Sequence, residues 1–402
     1  MRLRVGKRII IVGIIIIAIV TIAVLVLFLI SGVFVKSIYL KPWDKNYAGT
    51  FQDSRIQVTA VGELAANGHN MQPWKVKLDK NDDRVFYLYA DSNRFTDAVD
   101  PFARQLMITQ GTFIELAAIS GQKFGMSILV TLFPEGNYDE TNLIQSMDKL
   151  PVAKITLGAK ANSQSEESLY NYIFMPDTNR MPYKDNSIPD ADLQELADLN
   201  ESKELEVKFY ADEENKNKLS GLVMKGVNIE ANTREVMEET EAIFRPNEYE
   251  KNQYGYGFSV EGQGTTGIMK HFLQGIVTLF PSMNRGKGSA DLMIKSAKTS
   301  VDNTPAYLLI LSDDNSRESQ IKSGRLYSRM ILKGHQLGLV MQPLSQPLEE
   351  YSRMKEVYEE IHKEYGGQVK TIQMLIRVGY PTKEAPLSMR QEVEKFLITD
   401  EE

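Results

Sequence analysis

An uncharged apolar run near the N-terminus constrains this chain more than any other feature. Residues 9–35 contain no Asp, Glu, Lys or Arg, and their densest part runs from Ile9 to Ile30. With a rise of about 1.5 Å per residue, a helix over that part is about 33 Å long, enough for a hydrocarbon core of about 30 Å. The run is therefore predicted to cross a membrane once.

A cleavable signal peptide is the competing interpretation, because basic residues precede the run. The apolar core of a signal peptide is only about 7 to 15 residues long and ends in a cleavage site with small residues of the A-x-A type. Residues 9–35 have neither property. A retained signal anchor is therefore favoured over a cleaved signal.

The charges on either side of the run predict its orientation. Four cations precede it: Arg2, Arg4, Lys7 and Arg8. The segment that follows has Lys36, Lys41 and Lys45 together with Asp44. Since the more basic flank of a span stays in the cytoplasm, we expect a single-pass protein of the cell membrane. Residues 1–8 would be cytoplasmic and the body, residues 38–402, would lie outside.

The composition of the body excludes several classes of function. Lys plus Arg number 46 and Asp plus Glu 53; without the four N-terminal cations the remainder has 42 against 53, or −11. An acidic chain without a basic stripe repels phosphodiester backbones, which argues against a nucleic-acid partner. The absence of cysteine excludes disulfides, thiolate metal sites and a cysteine nucleophile. The four histidines are scattered, so no metal site is predicted.

The chain of 402 residues suits two domains, and its patterning shows two rounds of helices and strands. The first round has predicted helices at 55–66 and 105–124 and strands at 74–78, 85–90, 127–133 and 152–158. The second has a helix from 188, strands at 204–211, 306–311 and 371–379, and helices within 213–244 and at 318–337. The early strands read as a hairpin, so α+β is favoured over a doubly wound sheet. Residues 247–300 are Gly-rich and predict a covering segment with one or two helices.

Motifs of other enzyme classes occur without the context they need. GQGTTG at 262–267 matches the dinucleotide fingerprint, but no firm strand precedes it and no βαβ unit follows. Ser-x-x-Lys, the acylating motif of penicillin-binding enzymes, occurs four times without its partner motifs in order. Neither pattern predicts a site.

The segment GHNMQPW, residues 68–74, offers a denser set of polar groups. His69, Asn70 and Gln72 lie at a predicted junction between a helix and a strand, an arrangement suited to a flat polar heterocycle. A helix C-cap followed by a core Trp74 would satisfy the same pattern. From spacing alone, both interpretations stay open.

Four segments resemble the nitroreductase superfamily of flavoproteins, in its Acg-type branch. ELAANGHNMQPWKVKL is followed by DPFARQLMITQGTFIELA, as in that branch. TNRMPYKDNSIPDADL at 178–193 is similar to its T-N-R-x-P segment. GHQLGLVMQPLSQPLEE at 334–350 and QMLIRVGYP at 373–381 match as well, and Arg390 lies where the family places a terminal arginine. The resemblance spans about residues 55 to 397 in the correct order.

The resemblance implies an FMN-dependent oxidoreductase with a nitroreductase-like α+β fold, in which antiparallel-rich sheets are flanked by helices. Ordinary members are dimers with flavin at the interface, and this branch resembles such a dimer fused into one chain. The two halves would be residues 38–200 and 201–402, so the protein is expected to be monomeric. NAD(P)H is the implied electron donor.

The resemblance also implies which residues bind the cofactor. The FMN phosphate would contact Thr178, Asn179, Arg180 and Arg390, and bidentate guanidinium contacts suit a phosphate. The ribityl chain and pyrimidine edge would contact His69, Asn70 and Gln72. The backbone of Pro343, Leu344 and Ser345 would lie beside the reactive N5. No acid or base residue is assigned to catalysis.

Three positions depart from the family pattern. Pro176 and Asp177 stand where the family commonly has two arginines, and Met389 replaces another frequent arginine. NAD(P)H and FMN are also scarce outside cells. Two functional classes therefore stay open. One is a membrane-anchored oxidoreductase that transfers hydride through flavin N5 to an unknown acceptor, and the other is a catalytically silent binding or structural module at the cell envelope.

Overall fold

The structure is a computed structural model that describes residues 2–159, 167–262, 264–367 and 369–398. Residue 1 of the predicted cytoplasmic tail, position 263 of the GQGTTG motif and residues 399–402 of the second half lie outside these ranges. Within them, one helix is long and apolar enough to cross a membrane, at Arg8–Ser31. It belongs to helix α1, whose apolar side chains are largely exposed.

Thirteen helices occur in the described ranges. They are α1 (Arg2–Ser31), α2 (Ser54–Gly62), α3 (Arg104–Lys123), α4 (Leu143–Lys149), α5 (Glu167–Tyr170), α6 (Asp190–Ala197), α7 (Glu213–Ala231), α8 (Arg234–Ala242), α9 (Glu248–Tyr254), α10 (Gly267–Leu279), α11 (Lys287–Asp302), α12 (Arg317–Gln336) and α13 (Lys355–Ile361). Eight strands accompany them: β1 (Trp74–Leu78), β2 (Val85–Ala90), β3 (Ser127–Leu132), β4 (Ala153–Gly158), β5 (Leu205–Tyr210), β6 (Ala306–Ser312), β7 (Val340–Pro343) and β8 (Thr371–Gly379).

The strands form two antiparallel sheets of four, which confirms the α+β prediction. Their orders are β1-β2-β4-β3 and β5-β6-β8-β7, so the second sheet repeats the topology of the first. β1 and β2 pair as the predicted hairpin, with Trp74 opposite Ala90. Every residue of β6 is buried, as expected of a central strand covered on both faces.

The two long helices α3 and α12 pack against each other across the centre of the molecule. A Cβ added to Gly111 of α3 would overlap with the carbonyl of Ile321, and one added to Gly324 of α12 would overlap with the carbonyl of Ile108. In each helix the contacting isoleucine comes three residues before the contacting glycine: Ile108 before Gly111 in α3, and Ile321 before Gly324 in α12. The contact is therefore reciprocal, and both glycines permit a closer approach than any other residue would.

Residues 179–184 pair with the second sheet, and the C-terminal segment pairs with the first. The amide of Asn179 donates to the carbonyl of Met341 next to the second sheet (3.0 Å), and the amide of Lys184 donates to Tyr380 (2.9 Å). In the opposite direction, the C-terminal segment pairs with β1, since Val76 donates to Phe396 (2.7 Å) and Ile398 to Val76 (2.8 Å). These pairings bring residues 178–180 to the second sheet and the C-terminal segment to the first.

The segment 247–300 has more regular structure than its glycine content indicated. It contains three helices, α9, α10 and α11, where one or two were expected. The turn that follows α9 lies on the GHNMQPW segment, because the amide of Gly257 donates to the carbonyl of Asn70 (2.9 Å). Helix α10 packs instead along α1. The segment therefore links the apolar helix to the predicted site.

Candidate functional site

The GHNMQPW segment is a strained turn between α2 and β1. His69, Asn70 and Gln72 have φ values of +49°, +54° and +51°, in the left-handed region that residues other than glycine seldom adopt. Such positions cost of order 1 kcal/mol or more each and persist only when neighbouring contacts fix them. Trp74 is fully buried, as the core interpretation expected, but α2 ends at Gly62 and so Gly68 does not cap it.

The side-chain NH2 groups of Asn70 and Gln72 donate to carbonyl groups of the protein backbone. The Nδ2 of Asn70 donates to the carbonyls of Gly257 and Met389, each at 3.0 Å. The Nε2 of Gln72 donates to Gly255 (2.9 Å) and Met389 (3.2 Å), and its Oε1 accepts from the amide of Gln391 (3.1 Å). Both side chains therefore tie the turn after α9 to the C-terminal segment, and these contacts explain how the strained turn is held.

Arg390 is fully buried and surrounded by acceptors of the protein. Its Nη1 donates to the Oδ1 of Asn70 (2.5 Å), the Oγ of Ser388 (2.5 Å) and the carbonyl of Met389 (2.9 Å). Its Nη2 donates to two carbonyls at the end of α2, of Leu64 (3.0 Å) and Ala65 (3.1 Å). The carboxylate of Asp177 lies 3.5 Å from Nη2. Arg390 thus joins three segments, and only its Nε has no partner among the described residues.

Arg180 differs from Arg390 in its exposure and in its lack of hydrogen bonds to other described residues. Its side chain is exposed, and no hydrogen bond or ion pair joins it to another residue that the structure describes. Nevertheless desolvation lowers the pKa of its guanidinium, partly offset by the charge of Asp177. The guanidinium is thus exposed to solvent and still has many protein atoms nearby. The charge of Arg180 is therefore available to a ligand.

The charges of Arg180 and Asp177 act on three further polar side chains. Desolvation, and then the charge of Arg180, lowers the pKa of His69 to about 4, so its ring is neutral at pH 7. Desolvation also lowers the pKa of His335 to about 4, against the effect of Asp177. Desolvation, and then the charge of Asp177, raises the pKa of Tyr327 well above its usual range, against the effect of Arg180. We call these five residues the Arg180 cluster.

The Arg180 cluster contains buried polar atoms without partners. Both ring nitrogens of His335 and the hydroxyl of Tyr327 lack a hydrogen bond within the described ranges. An unpaired buried polar group costs about 1 to 3 kcal/mol, so native proteins rarely keep several together without a reason. Each neutral imidazole offers one N–H and Tyr327 one O–H. With the Arg180 guanidinium, these donors fit an anionic group rich in oxygen, such as a phosphate.

The residues next to Arg180 hold the segment in place. Asn179 is buried; its Nδ2 donates to the carbonyl of Lys383 (2.9 Å), and its own carbonyl accepts from the hydroxyl of Tyr183 (2.9 Å). Arg377 on β8 donates to the carbonyls of Asn179 (3.1 Å) and Met181 (2.8 Å). Thr178 is half-buried. Of the three predicted phosphate residues in this segment, Arg180 alone is exposed.

Pro343, Leu344 and Ser345 lie in a different environment. The amide of Leu344 donates to Leu375 (2.8 Å), and the Oγ of Ser345 donates to Glu349 Oε1 (3.2 Å). No hydrogen bond or ion pair joins these three residues to the other predicted cofactor residues in the described part of the chain. Glu349 and the neighbouring Glu230 are both buried, and desolvation raises the pKa of each, that of Glu230 to about 7.

Sequence reasoning missed Asp177, Tyr327, His335 and Arg377 as contributors. Asp177 had been noted only as a departure and His335 only as one of four scattered histidines. A charged residue within the apolar run of β8 was a signal for Arg377.

Two shallow depressions of about 510 and 550 Å³ lie elsewhere, around the 79–84 loop and between α7 and α13, and contain none of the predicted residues. No group of His, Asp and Glu suited to a metal ion occurs among the residues described.

No protein-family model and no curated protein matches the sequence. Among solved structures, the chain is similar to an iodotyrosine deiodinase bound to FMN and 3-iodo-L-tyrosine, at 16% identity and a TM-score of 0.31, over 56% of this chain and 95% of that one. It is similar to a nitroreductase-like protein from Bacillus cereus, at 13% identity and a TM-score of 0.31, over 61% of this chain and 100% of that one. It is also similar to the FMN-dependent nitroreductase NfnB from Mycobacterium smegmatis in complex with NADPH, at 12% identity and a TM-score of 0.34. This match covers 57% of this chain and 96% of that one.

Proposed function

We propose that this protein is a membrane-anchored, FMN-dependent oxidoreductase of the nitroreductase type. The observation that carries the proposal is the Arg180 cluster: an open guanidinium beside buried donors without partners, on the segment that resembles the family's T-N-R-x-P motif. When bound, FMN would supply hydride transfer through N5, from a donor such as NAD(P)H to an acceptor.

The predicted cofactor residues divide into two groups in this proposal. Arg180 would bind the phosphate by charge, with the hydroxyl of Tyr327 and a ring N–H of His335 as donors. His69, presented by its left-handed backbone, would contact the cofactor through its ring. Asn70, Gln72 and Asn179 would hold the wall of the site, since their side chains already bind backbone groups.

Arg390 would act on the phosphate through Asp177. Its guanidinium lies 3.5 Å from that carboxylate and partly neutralises it, which lowers the repulsion that Asp177 would exert on an anion. Thr178 and the backbone of Pro343, Leu344 and Ser345 remain proposed contacts from the family resemblance. No residue is proposed as acid or base.

The decisive experiment is an FMN titration of the full-length protein in detergent, followed by the absorption of bound flavin. One charged hydrogen-bonded contact contributes about 1.5 to 3 kcal/mol, so Arg180→Ala should weaken FMN binding roughly ten- to a hundredfold. Arg234→Ala is the matched control, because Arg234 is an exposed arginine on α8 whose partner is Glu238. Equal affinities for both variants would remove Arg180 from the site.

A catalytically silent binding or structural module is the alternative, and Asp177 favours it. An anion within the Arg180 cluster opposes a phosphate that carries nearly two negative charges. If the wild-type protein takes up no flavin even with excess FMN, the oxidoreductase proposal fails and the silent alternative is retained.

The membrane part of the proposal is a single-pass anchor at residues 9–35. Its support is the exposed apolar surface of α1 and the cations that precede it. We propose a cytoplasmic N-terminus and an extracytoplasmic body. Protease added to intact spheroplasts should then digest the body. Protection that ends only on lysis would reverse the orientation and give the site access to cytosolic NAD(P)H.

A further inference from the structure

Helix α10 packs against the body through its polar side. Lys270 Nζ lies 3.2 Å from Glu248 Oε1 and 3.1 Å from Glu261 Oε1. The Nε2 of Gln274 donates to Glu248 Oε1 (2.9 Å), and Thr278 Oγ1 accepts from Asn247 Nδ2 (3.3 Å). Positions 270, 274 and 278 follow each other at intervals of four, so they lie on one face of the helix. This face is buried in ion pairs and hydrogen bonds.

The opposite face of α10 is apolar and exposed. Ile268 is 75% exposed and Met269 53%, and at the other end Leu279 is 44% and Phe280, just beyond the helix, 56% exposed. At 100° per residue, these positions together with 272 and 276 point away from 270, 274 and 278. A helix on the surface of a soluble protein has the reverse arrangement, with its apolar face inward. The amphipathicity of α10 is therefore inverted.

The flank of α10 packs on the last turns of α1. A Cβ added to Gly275 would lie 2.5 Å from the carbonyl oxygen of Leu27, and the Oγ of Ser31 lies 3.4 Å from Nδ1 of His271. From His271 to Gly275 the chain advances four residues along α10, while the contacted residue of α1 moves back four, from Ser31 to Leu27. The two helices are antiparallel neighbours, and the exposed apolar face of α10 continues the apolar surface of α1.

The segment that contains α10 is also basic. Residues 264–300 include five Lys or Arg and one Asp, a net charge of +4 within a chain of −7. Arg285 and Lys287 are exposed directly after the apolar end of α10. An apolar surface bordered by cations complements an anionic phospholipid surface, to which each cation near the headgroups contributes about 1 kcal/mol.

We propose that α10 is a second membrane-binding element, which enters an anionic phospholipid bilayer beside the last turns of α1 with its apolar face toward the lipid. The proposal rests on the proposed anchoring of α1. Gly275 is level with Leu27, four residues or about 6 Å before α1 ends at Ser31. Because α10 is antiparallel to α1, Leu279 would lie deeper still, about 12 Å from the end of α1. The body would then be held against the membrane at two points.

The absence of cysteine makes a site-specific test possible in the full-length chain. Single variants Phe280→Cys and Met283→Cys receive a nitroxide label, and the protein is reconstituted into vesicles of equal parts phosphatidylcholine and phosphatidylglycerol. Collision rates with oxygen, which enters the bilayer, and with a water-soluble nickel chelate then report depth. Ile15→Cys reports the anchor, and Leu129→Cys is the matched control, an exposed apolar residue (66%) on β3.

We expect the labels at 280 and 283 to favour oxygen over the chelate, as at 15, with several-fold lower chelate access than at 129. A label at 15 in lipid with those at 280 and 283 in water would overturn this inference and leave the anchor intact. A label at 15 in water would overturn the anchor and the inference with it. Labels at 280 and 283 shielded from both reagents would indicate a protein partner, such as a second copy, and would also overturn the inference.

Discussion

Gly324 of α12 lies so close to Ile108 of α3 that a Cβ on the glycine would overlap with the isoleucine carbonyl. Gly111 and Ile321 repeat the contact with the roles of the helices exchanged. The two sheets repeat one strand order as well. A contact made twice in this reciprocal way is what a fused pair of equivalent halves would produce, and it supports the proposed pseudo-dimer.

Gly324→Ala should destabilise the protein, because the new methyl group meets backbone atoms that cannot rotate away. Overpacking of this kind costs about 1 to 3 kcal/mol. Gly221→Ala is the matched control: Gly221 is exposed in the interior of α7 and has nothing within 4 Å of an added Cβ, so the change should stabilise by about 0.5 to 1 kcal/mol. Urea unfolding in detergent measures both. Equal effects in the two variants would show that α3 and α12 do not pack this closely.

In the proposed pseudo-dimer, the two halves supply both sides of the interface that an ordinary nitroreductase forms by dimerisation, so the detergent-solubilised protein should be a monomer. Sedimentation at micromolar concentration measures the mass. A tight dimer that persists on dilution would contradict the proposed pseudo-dimer.

Arg390→Ala should unfold the protein more readily than Arg180→Ala. Removal of a buried arginine leaves the carboxylate of Asp177 and several buried acceptors without donors, at a cost of about 3 to 5 kcal/mol. Arg180 is exposed and free of protein partners among the described residues, so its loss should change stability by no more than about 0.5 kcal/mol. Urea midpoints of both variants, each without FMN, compare the two roles. A large loss for Arg180→Ala would assign that residue to structure.

Local pattern was sufficient to predict most of the regular elements. The strands predicted at 74–78, 85–90 and 371–379 have the observed bounds. The helices predicted at 105–124 and 318–337 each begin and end one residue earlier in the structure. Apolar runs and helical periodicity are properties of neighbouring residues, so the sequence displays them directly. The helix predicted at 55–66 ends early, at Gly62, and the helical stretch 213–244 is divided into α7 and α8 near Thr233.

The candidate site was less predictable, because its contacts join distant parts of the chain. Gln72 bonds to Met389, 317 positions away, and Arg390 bonds to Asn70, 320 positions away. A pattern of residue types cannot distinguish an amide that holds a loop from one that binds a cofactor. The family resemblance predicted His69 and Arg180 for one site, and the charge of Arg180 does act on the ring of His69. The proposed division of the other residues between wall and site depends on hydrogen bonds that only the fold reveals.

Burial of Glu230 on α7 should make stability depend on pH. Desolvation raises the pKa of Glu230 from the ordinary 4.5 to about 7. Desolvation, and then the charge of Glu230, raises the pKa of the neighbouring Glu349 well above its usual range. Between pH 4.5 and 7 the unfolded chain releases the Glu230 proton while the folded chain retains it, so stability falls as the pH rises through this window. At 1.36 kcal/mol per unit, the loss is about 3 kcal/mol by pH 7.

Glu230→Gln should remove that loss, since an amide does not titrate. Unfolding free energies from urea titrations at pH 5, 6, 7 and 8 should show the variant gaining on the wild type by about 3 kcal/mol across the series. Groups on which the charge of Glu230 does not act, such as Asp100 with a pKa of about 6, contribute equally to both proteins and cancel in the difference. Glu201→Gln is the control, because Glu201 is exposed and should give a curve parallel to the wild type. A parallel curve for Glu230→Gln as well would mean that Glu230 is ionised in the folded protein.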